Sequence, residues 1–240
     1  MNIRPELAPQ TLARIGGALY LLIIACGIFG EMFVRNRLVA WDDAMLTARN
    51  IAAAPLLWRA GIAGDLLMHM ADVGVMTVFY ILLRPAGRRL ALLALVATLV
   101  QSGVLVANKL LLLVPLFLLG DAPYLQALAP GQAEALSLVA LRVHGHGFSI
   151  GLLFFAITCF ALGALIRRSG FLPRLLGWGM SIAGVCYLAS SVSLLLVPSV
   201  HQMLFPMILL PPFVAELALA SWLVVKGVDE SAWRMAAASA

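Results

Sequence analysis

Asp65, His69 and Asp72 stand four and three residues apart within an apolar run from Leu57 to Leu83. A helix over that run carries all three on one stripe. Two carboxylates flanking an imidazole can hold and pass protons, bind a cation or ligate a metal. An acidic side chain in the middle of a lipid-spanning helix costs roughly 2.5 to 3.5 kcal/mol on insertion scales, so such residues face the bundle interior and mark a functional path or a paired network.

Other ionisable groups sit inside apolar runs as well: Glu31, Lys109, His144, His146 and Glu216, with Gln101 as a neutral companion. A zinc site would draw on Asp65, His69 and one of His144 and His146, tetrahedral with an open position. With Asp72 or Glu216 as base, that set would suit an intramembrane metal-dependent hydrolase. Residues two apart on a helix point about 200° apart, so His144 and His146 share a ligand only if the helix breaks at Gly145 or Gly147. In an unbroken helix His146 shares a face with Arg142, which opposes a metal. A hydrogen-bonding histidine is the commoner finding, so no cofactor is expected.

The elements that position these groups follow from composition. With 63% hydrophobic residues, 11% charged residues and a mean hydropathy of +1.02, the 240 residues offer too little polar surface for a soluble globule. The chain reads as one all-α polytopic membrane domain over 1–240. Six apolar segments, 15–34, 57–83, 90–119, 136–166, 174–197 and 202–225, are each long enough for a crossing and rich in Leu and Ala. The net charge of +5 does not point to nucleic acid, because the basic residues lie singly or in short clusters at the ends of apolar runs.

Cys26, Cys159 and Cys186 lie within apolar runs and read as free thiols packed as small hydrophobes. Ile23-Ile24-Ala25-Cys26-Gly27 is similar to a lipoprotein cleavage site, but the run continues to Val34, long enough to remain a span.

Arg4, Arg14, Arg84, Arg88, Arg89, Arg167, Arg168, Arg174, Lys226 and Arg234 fall on one side of such a bundle. Arg35, Arg37, Arg49 and Arg59 fall on the other, with Arg142 near that side. The bias puts both termini in the cytoplasm. Arg84-Pro85-Ala86-Gly87-Arg88-Arg89 and Arg167-Arg168-Ser169-Gly170 read as tight inner turns, each closing an antiparallel hairpin. Residues 84–115 laid on 167–198 give a faint repeat, which would make the two hairpins parallel copies. In the outer loops, Asp42 and Asp43 cap a short helix, and Asp121-Ala122-Pro123 starts another.

Counting about 1.5 Å per residue from the inner boundary places Glu31, Asp65, Lys109 and His146 roughly 24 to 30 Å deep, near the outer edge. Asp72, Gln101 and Glu216 come out about 14 to 17 Å deep, near the midplane, with His69 between the layers. The inner half offers only weakly polar groups such as Thr77, Thr98, Thr158 and Ser181. A polar cup open outward and closed inward is therefore expected, and an aqueous pore, polar from end to end, is disfavoured. Glu31 and Lys109 are close enough to the boundary to snorkel, and Asp65 has Lys109, Arg59 or Arg142 as structural partners. Asp72 and Glu216 have no basic residue at their depth. Pro206 and Pro211-Pro212 are expected to kink the last span just outside Glu216.

Gly30-Glu31, Gly61-Ile62-Ala63-Gly64-Asp65, Asp72, Leu83-Arg84-Pro85, His144 with Gly147, Ser169-Gly170-Phe171-Leu172-Pro173, Leu209-Leu210-Pro211 with Glu216, and Lys226-Gly227 occur in order along nearly the whole chain. In these segments it resembles a bacterial membrane-protein family known only as domain of unknown function 4386. The resemblance implies a helical, multi-pass protein of the bacterial inner membrane and supplies no activity. The residues themselves suggest that Glu31, Asp65, His69, Asp72, Gln101, Lys109, His146 and Glu216 bind a small cationic or proton-coupled solute, for binding or transport. The alternatives are the metal-dependent hydrolase and a sensor or scaffold in which the polar groups only fix helix register. The lipid bilayer is the expected partner, with room for a small-molecule ligand and a homo-oligomer.

Overall fold

A computed structural model describes residues 7–239, all helical or loop with no strand among them. Arg4 of the inner basic set lies outside the described residues. Helix α1 (Pro9–Ile28) runs into a π-helical turn, Phe29–Arg35, and a single turn, α2 (Asn36–Leu38). Then come α3 (Ala44–Ala53), α4 (Pro55–Asn108), α5 (Leu110–Leu118) and a 3₁₀ turn, Pro123–Ala127. The chain continues through α6 (Gln132–Ser169), α7 (Arg174–Leu196), α8 (Pro198–Leu204), a 3₁₀ turn at Met207–Leu209, α9 (Leu210–Val225) and α10 (Glu230–Ala238).

Among the described residues, five helical stretches are long and apolar enough to cross a membrane: Pro9–Leu38, Pro55–Leu118, Gln132–Ser169, Arg174–Leu196 and Met207–Val225. The chain is a helical membrane protein. The second stretch holds 64 residues. Run straight, it would be about 96 Å long. It does not run straight, because Gly87 leaves the helical region (φ 162, ψ 94) and the helix doubles back there. Trp58 donates its indole N–H to the Leu112 carbonyl at 2.8 Å, and Asp65 meets Lys109 at 2.9 Å, contacts only an antiparallel hairpin allows.

The first arm of that hairpin packs on α1, the second on α6, α6 on α7 and α7 on α9, which closes back onto α1. Chain neighbours are thus space neighbours, as short connections require. At the α6–α7 contact, Gly163 and Gly177 lie backbone to backbone: a Cβ on either would come within 2.7 Å of the other's carbonyl oxygen. Small residues at such crossings let membrane helices approach and gain dispersion contacts. The α6–α7 turn passes through Gly170 at φ 74, a left-handed conformation that glycine adopts without steric cost.

Buried apolar side chains form two separate clusters. The larger, around Tyr20, Phe79, Leu82, Leu162, Leu165, Leu219 and Leu223, occupies the end with the Gly87 and Gly170 turns. The smaller, around Val34, Ile51, Trp58, Ile62, Leu112 and Leu141, occupies the opposite end. Asp65, His69, Asp72, Gln101, Ser102, Asn108 and Lys109 on the two arms of the α4 hairpin, with His144 and Ser149 on α6, are buried between the clusters.

Some expected boundaries move. The last apolar segment does not run as one helix from 202: α8 ends at Leu204 and α9 begins at Leu210, so the break expected ahead of Glu216 falls at Phe205–Pro206, and Pro211 and Pro212 occupy the first turn of α9. Proline fits there because first-turn amides have no intrahelical acceptor to lose. Asp43 caps α3 through the Leu46 amide as expected, whereas Pro123–Ala127 is a 3₁₀ turn that follows Ala122 and has no side-chain cap. α6 runs unbroken through Gly145 and Gly147. All three cysteines are free thiols.

The C-terminal α10 was not visible as an apolar run. Asp229 caps it, and its buried Trp233 donates to the Leu82 carbonyl at 2.8 Å. Gln10 ties the first helix to the same end, accepting from the Val228 amide and donating to the Lys226 carbonyl, each at 2.9 Å.

Gly177→Leu is expected to force α6 and α7 apart and lower the melting temperature in detergent by several degrees. Gly103→Leu, at a glycine with nothing within 4 Å of a Cβ, should leave it nearly unchanged.

Candidate functional site

The polar layer is built around Asp65. One carboxylate oxygen, Oδ2, receives both Arg35 Nη1 at 2.7 Å and Lys109 Nζ at 2.9 Å, and the Asp65 side chain is fully buried. Arg35 reaches inward from the last position of the π-helical turn, whose extra residue per turn re-aims side chains relative to an α-helix. Its Nε also bonds Glu31 Oε2 at 2.7 Å, so Glu31, half exposed, connects the buried pair to the surface. Gly30 permits this docking: a Cβ there would stand 2.5 Å from Asp65 Oδ1 and 3.0 Å from Arg35 Nη2.

Lys109 sits at the α4–α5 junction and lies 3.4 Å from His144 Nε2 and 5.8 Å from the Phe148 ring centroid. Beside it Asn108 donates to the His144 carbonyl at 2.8 Å, against Gly147, where any side chain would collide with the amide. His144 thereby enters the layer. His146, two residues on, does not: it is exposed, with Nδ1 2.9 Å from the Arg142 carbonyl of its own helix. Arg142 itself turns outward, donating to the Trp41 carbonyl and lying 3.7 Å from Asp42.

One turn below Asp65, His69 Nδ1 lies 3.1 Å from Asp72 Oδ2, and both side chains are buried. His69 is within electrostatic range of His144, and Asp72 of Glu216. Glu216, buried on α9, accepts from the Tyr187 hydroxyl of α7 and has Tyr20 of α1 as a second hydroxyl partner. Those two phenols are held by aromatic contacts, Tyr20 edge-on to Phe79 at 6.0 Å and Tyr187 tilted against Phe155 at 5.3 Å.

The sequence-derived residues therefore divide into three. Glu31, Asp65 and Lys109 join one ion network, completed by Arg35. His69 and Asp72 form a pair beneath it, with Glu216 deeper, among phenols. Gln101 is buried at the level of Asp72 without a partner for Oε1, and His146 stands apart. Among the described residues no three His, Cys, Asp or Glu side chains are placed to hold a metal. The set Asp65, His69, His144 and His146 does not converge, since Asp65 Oδ2 already has two cations and His146 faces out.

Arg35, Tyr20 and Tyr187 were not recognised from sequence. The spacing of Glu31 and Arg35, four apart, was the available signal for the first. Nothing local marks the two tyrosines. Surface depressions of about 370 and 280 Å³ lie at Gly170–Pro173 with Trp222–Asp229, and at Ala48–Ala52 with Leu118–Gly120. Neither touches the polar layer.

Asp65→Ala leaves Arg35 and Lys109 without their buried counter-charge. Removing one partner of a buried ion pair costs about 3 to 5 kcal/mol, so the variant should unfold far more easily in detergent. Adding Lys109→Met should recover part of that loss, a positive coupling measurable by a double-mutant cycle.

No curated protein and no solved structure matches this chain. The family described as Domain of unknown function (DUF4386) matches residues 15–227, and the chain belongs to that family.

Proposed function

We propose that this is a six-span protein of the bacterial inner membrane, both termini cytoplasmic, that binds and moves a small cationic or proton-coupled solute entering from the periplasm. The Gly87 hairpin supports six crossings, because it divides the Pro55–Leu118 stretch into two arms. The basic bias supports the orientation: Arg84, Arg88 and Arg89 cluster at one turn, and Arg167, Arg168 and Arg174 at the other.

One observation carries the proposal. Asp72 is buried between the two apolar clusters and Glu216 beside the larger one; they are bonded to an imidazole and to phenols, and among the described residues no lysine or arginine is bridged to either. Asp65, by contrast, is neutralised by two cations and serves as an anchor. Buried acids without a fixed counter-charge take up protons or cations, which is how carboxylate relays in membrane pumps and transporters work. The His69–Asp72 pair receives the charge, and Glu216, within electrostatic range of Asp72, shares it. The Arg35–Asp65–Lys109 bracket closes the outer end, and the larger apolar cluster seals the inner one.

In proteoliposomes with a trapped pH indicator, adding ammonium, amine or alkali cations should drive a proton flux. Asp72→Asn and Glu216→Gln should each reduce it at least about tenfold, the loss of one catalytic proton carrier, while melting temperature stays within a few degrees. A wild-type protein silent across that panel would refute transport. Full flux in both neutral variants would reduce the layer to a device for helix register.

A further inference from the structure

Burial normally comes with hydrogen bonding, yet four side-chain atoms of the polar layer have no partner: Asp65 Oδ1, His69 Nε2, Gln101 Oε1 and Ser102 Oγ. All four residues are at most 5% exposed. Their placement is not scattered. Contacts of Trp58 with Leu112 and of Asp65 with Lys109 set the register of the α4 hairpin. Seven residues from Lys109 along the same stripe lies Ser102. Four residues down from Asp65 on the facing stripe lies His69. Asp72 is likewise seven residues from Asp65, so the hairpin sets Ser102 level with Asp72, one turn below His69. Gln101 shares a stripe with Ala94 and Asn108, whose contacts with Thr158 and His144 turn that side toward α6. Asp65 Oδ1 lies at the upper edge, against Gly30 of the π-helical turn, and the other three residues fall within about 6 Å of one another along the helix axis.

Their chemistry is one-sided. With His69 Nδ1–H donating to Asp72, Nε2 is an acceptor. Asp65 Oδ1 and Gln101 Oε1 are acceptors as well, and the Ser102 hydroxyl serves either way. What such a set lacks is donors. An anion would meet lone pairs. Potassium or sodium would bring charge but no N–H, and an imidazole nitrogen is a poor ligand for either hard cation. An ammonium group brings several N–H donors together with positive charge, and Asp72 supplies negative charge that no lysine or arginine bridges.

We infer that the α4 hairpin, covered by α6, holds a cage for one small, donor-rich cation: the ammonium ion or the head of a primary amine. The inference rests on the solute-binding proposal above and names the solute class.

The test is binding by the full-length protein in detergent, followed by thermal shift and calorimetry at matched ionic strength. The probes are ammonium, methylammonium, potassium and tetramethylammonium chlorides. Ammonium and methylammonium should give a saturable rise in melting temperature that potassium and tetramethylammonium do not. His69→Ala and Gln101→Leu should each raise the half-saturating concentration about tenfold, the loss of one hydrogen bond to a charged group. Equal responses to ammonium and potassium, or no saturable response to any of the four, would overturn the cage; the wild-type comparison decides this even if a variant fails to fold. Selective binding without proton flux would refute transport and keep the cage. Flux without ammonium selectivity would do the reverse.

Discussion

A carboxylate taken from water into a helical bundle must be met by positive charge and hydrogen bonds, or the helix that carries it will not stay buried. The idealised desolvation cost is of order 20 kcal/mol per ion, and several kcal/mol remain after relaxation. Asp65 meets that demand by drawing a guanidinium from the end of α1 and an ammonium from the far arm of its own hairpin. Much of that end of the bundle follows from this one requirement. The π turn swings Arg35 inward, and Gly30 clears its path. Doubling back at Gly87 brings Lys109 to the level of Asp65. Asn108, locked on the His144 carbonyl, fixes the adjacent residue of the lysine's helix and seats α6 against it.

Below that anchor the electrostatics change character. Asp72 and Glu216 have neutral or exchangeable partners, an imidazole and two phenols, so their charge is not fixed by a neighbouring cation. The layer is bounded on each side by packed apolar side chains. The outward faces of the helices are apolar too, with Leu92, Leu93, Val96 and Val100 on the second α4 arm all exposed. In water such a surface would aggregate, and in lipid it is the natural exterior. The polar groups are therefore enclosed by protein and lipid alike, which strengthens every interaction among them.

Ion network and deeper pair divide the work that one site seemed to combine. A tight bracket around Asp65 ties the π-helical turn to both arms of the α4 hairpin. A looser arrangement of His69, Asp72 and Glu216 keeps the capacity to change protonation. On the proposed reading, a solute reaching the deeper pair would pass the bracket, and its entry would be tied to rearranging the Arg35–Asp65–Lys109 contacts.

Hydrophobic run lengths, the Gly- and Pro-marked basic turns, and the stripe of Asp65, His69 and Asp72 were all legible in the residues, because helix geometry maps spacing onto face and depth directly. Depth also marked Glu216 as an acid with no base at its level. What spacing does not carry is which neighbouring helix a face meets. Arg35 entering the interior, His144 turning in while His146 turns out, and Tyr20 and Tyr187 converging on Glu216 all depend on azimuth between helices distant in sequence. The start of α9 at Leu210, with its prolines in the first turn, and the docking of Trp233 on Leu82 belong to the same class. The sequence by itself determined that charges had to be buried and at what level. Which of them pair with a cation and which have only neutral partners came from packing, because partner choice is set by contacts between segments up to about 200 residues apart rather than by the local rise and twist of a helix.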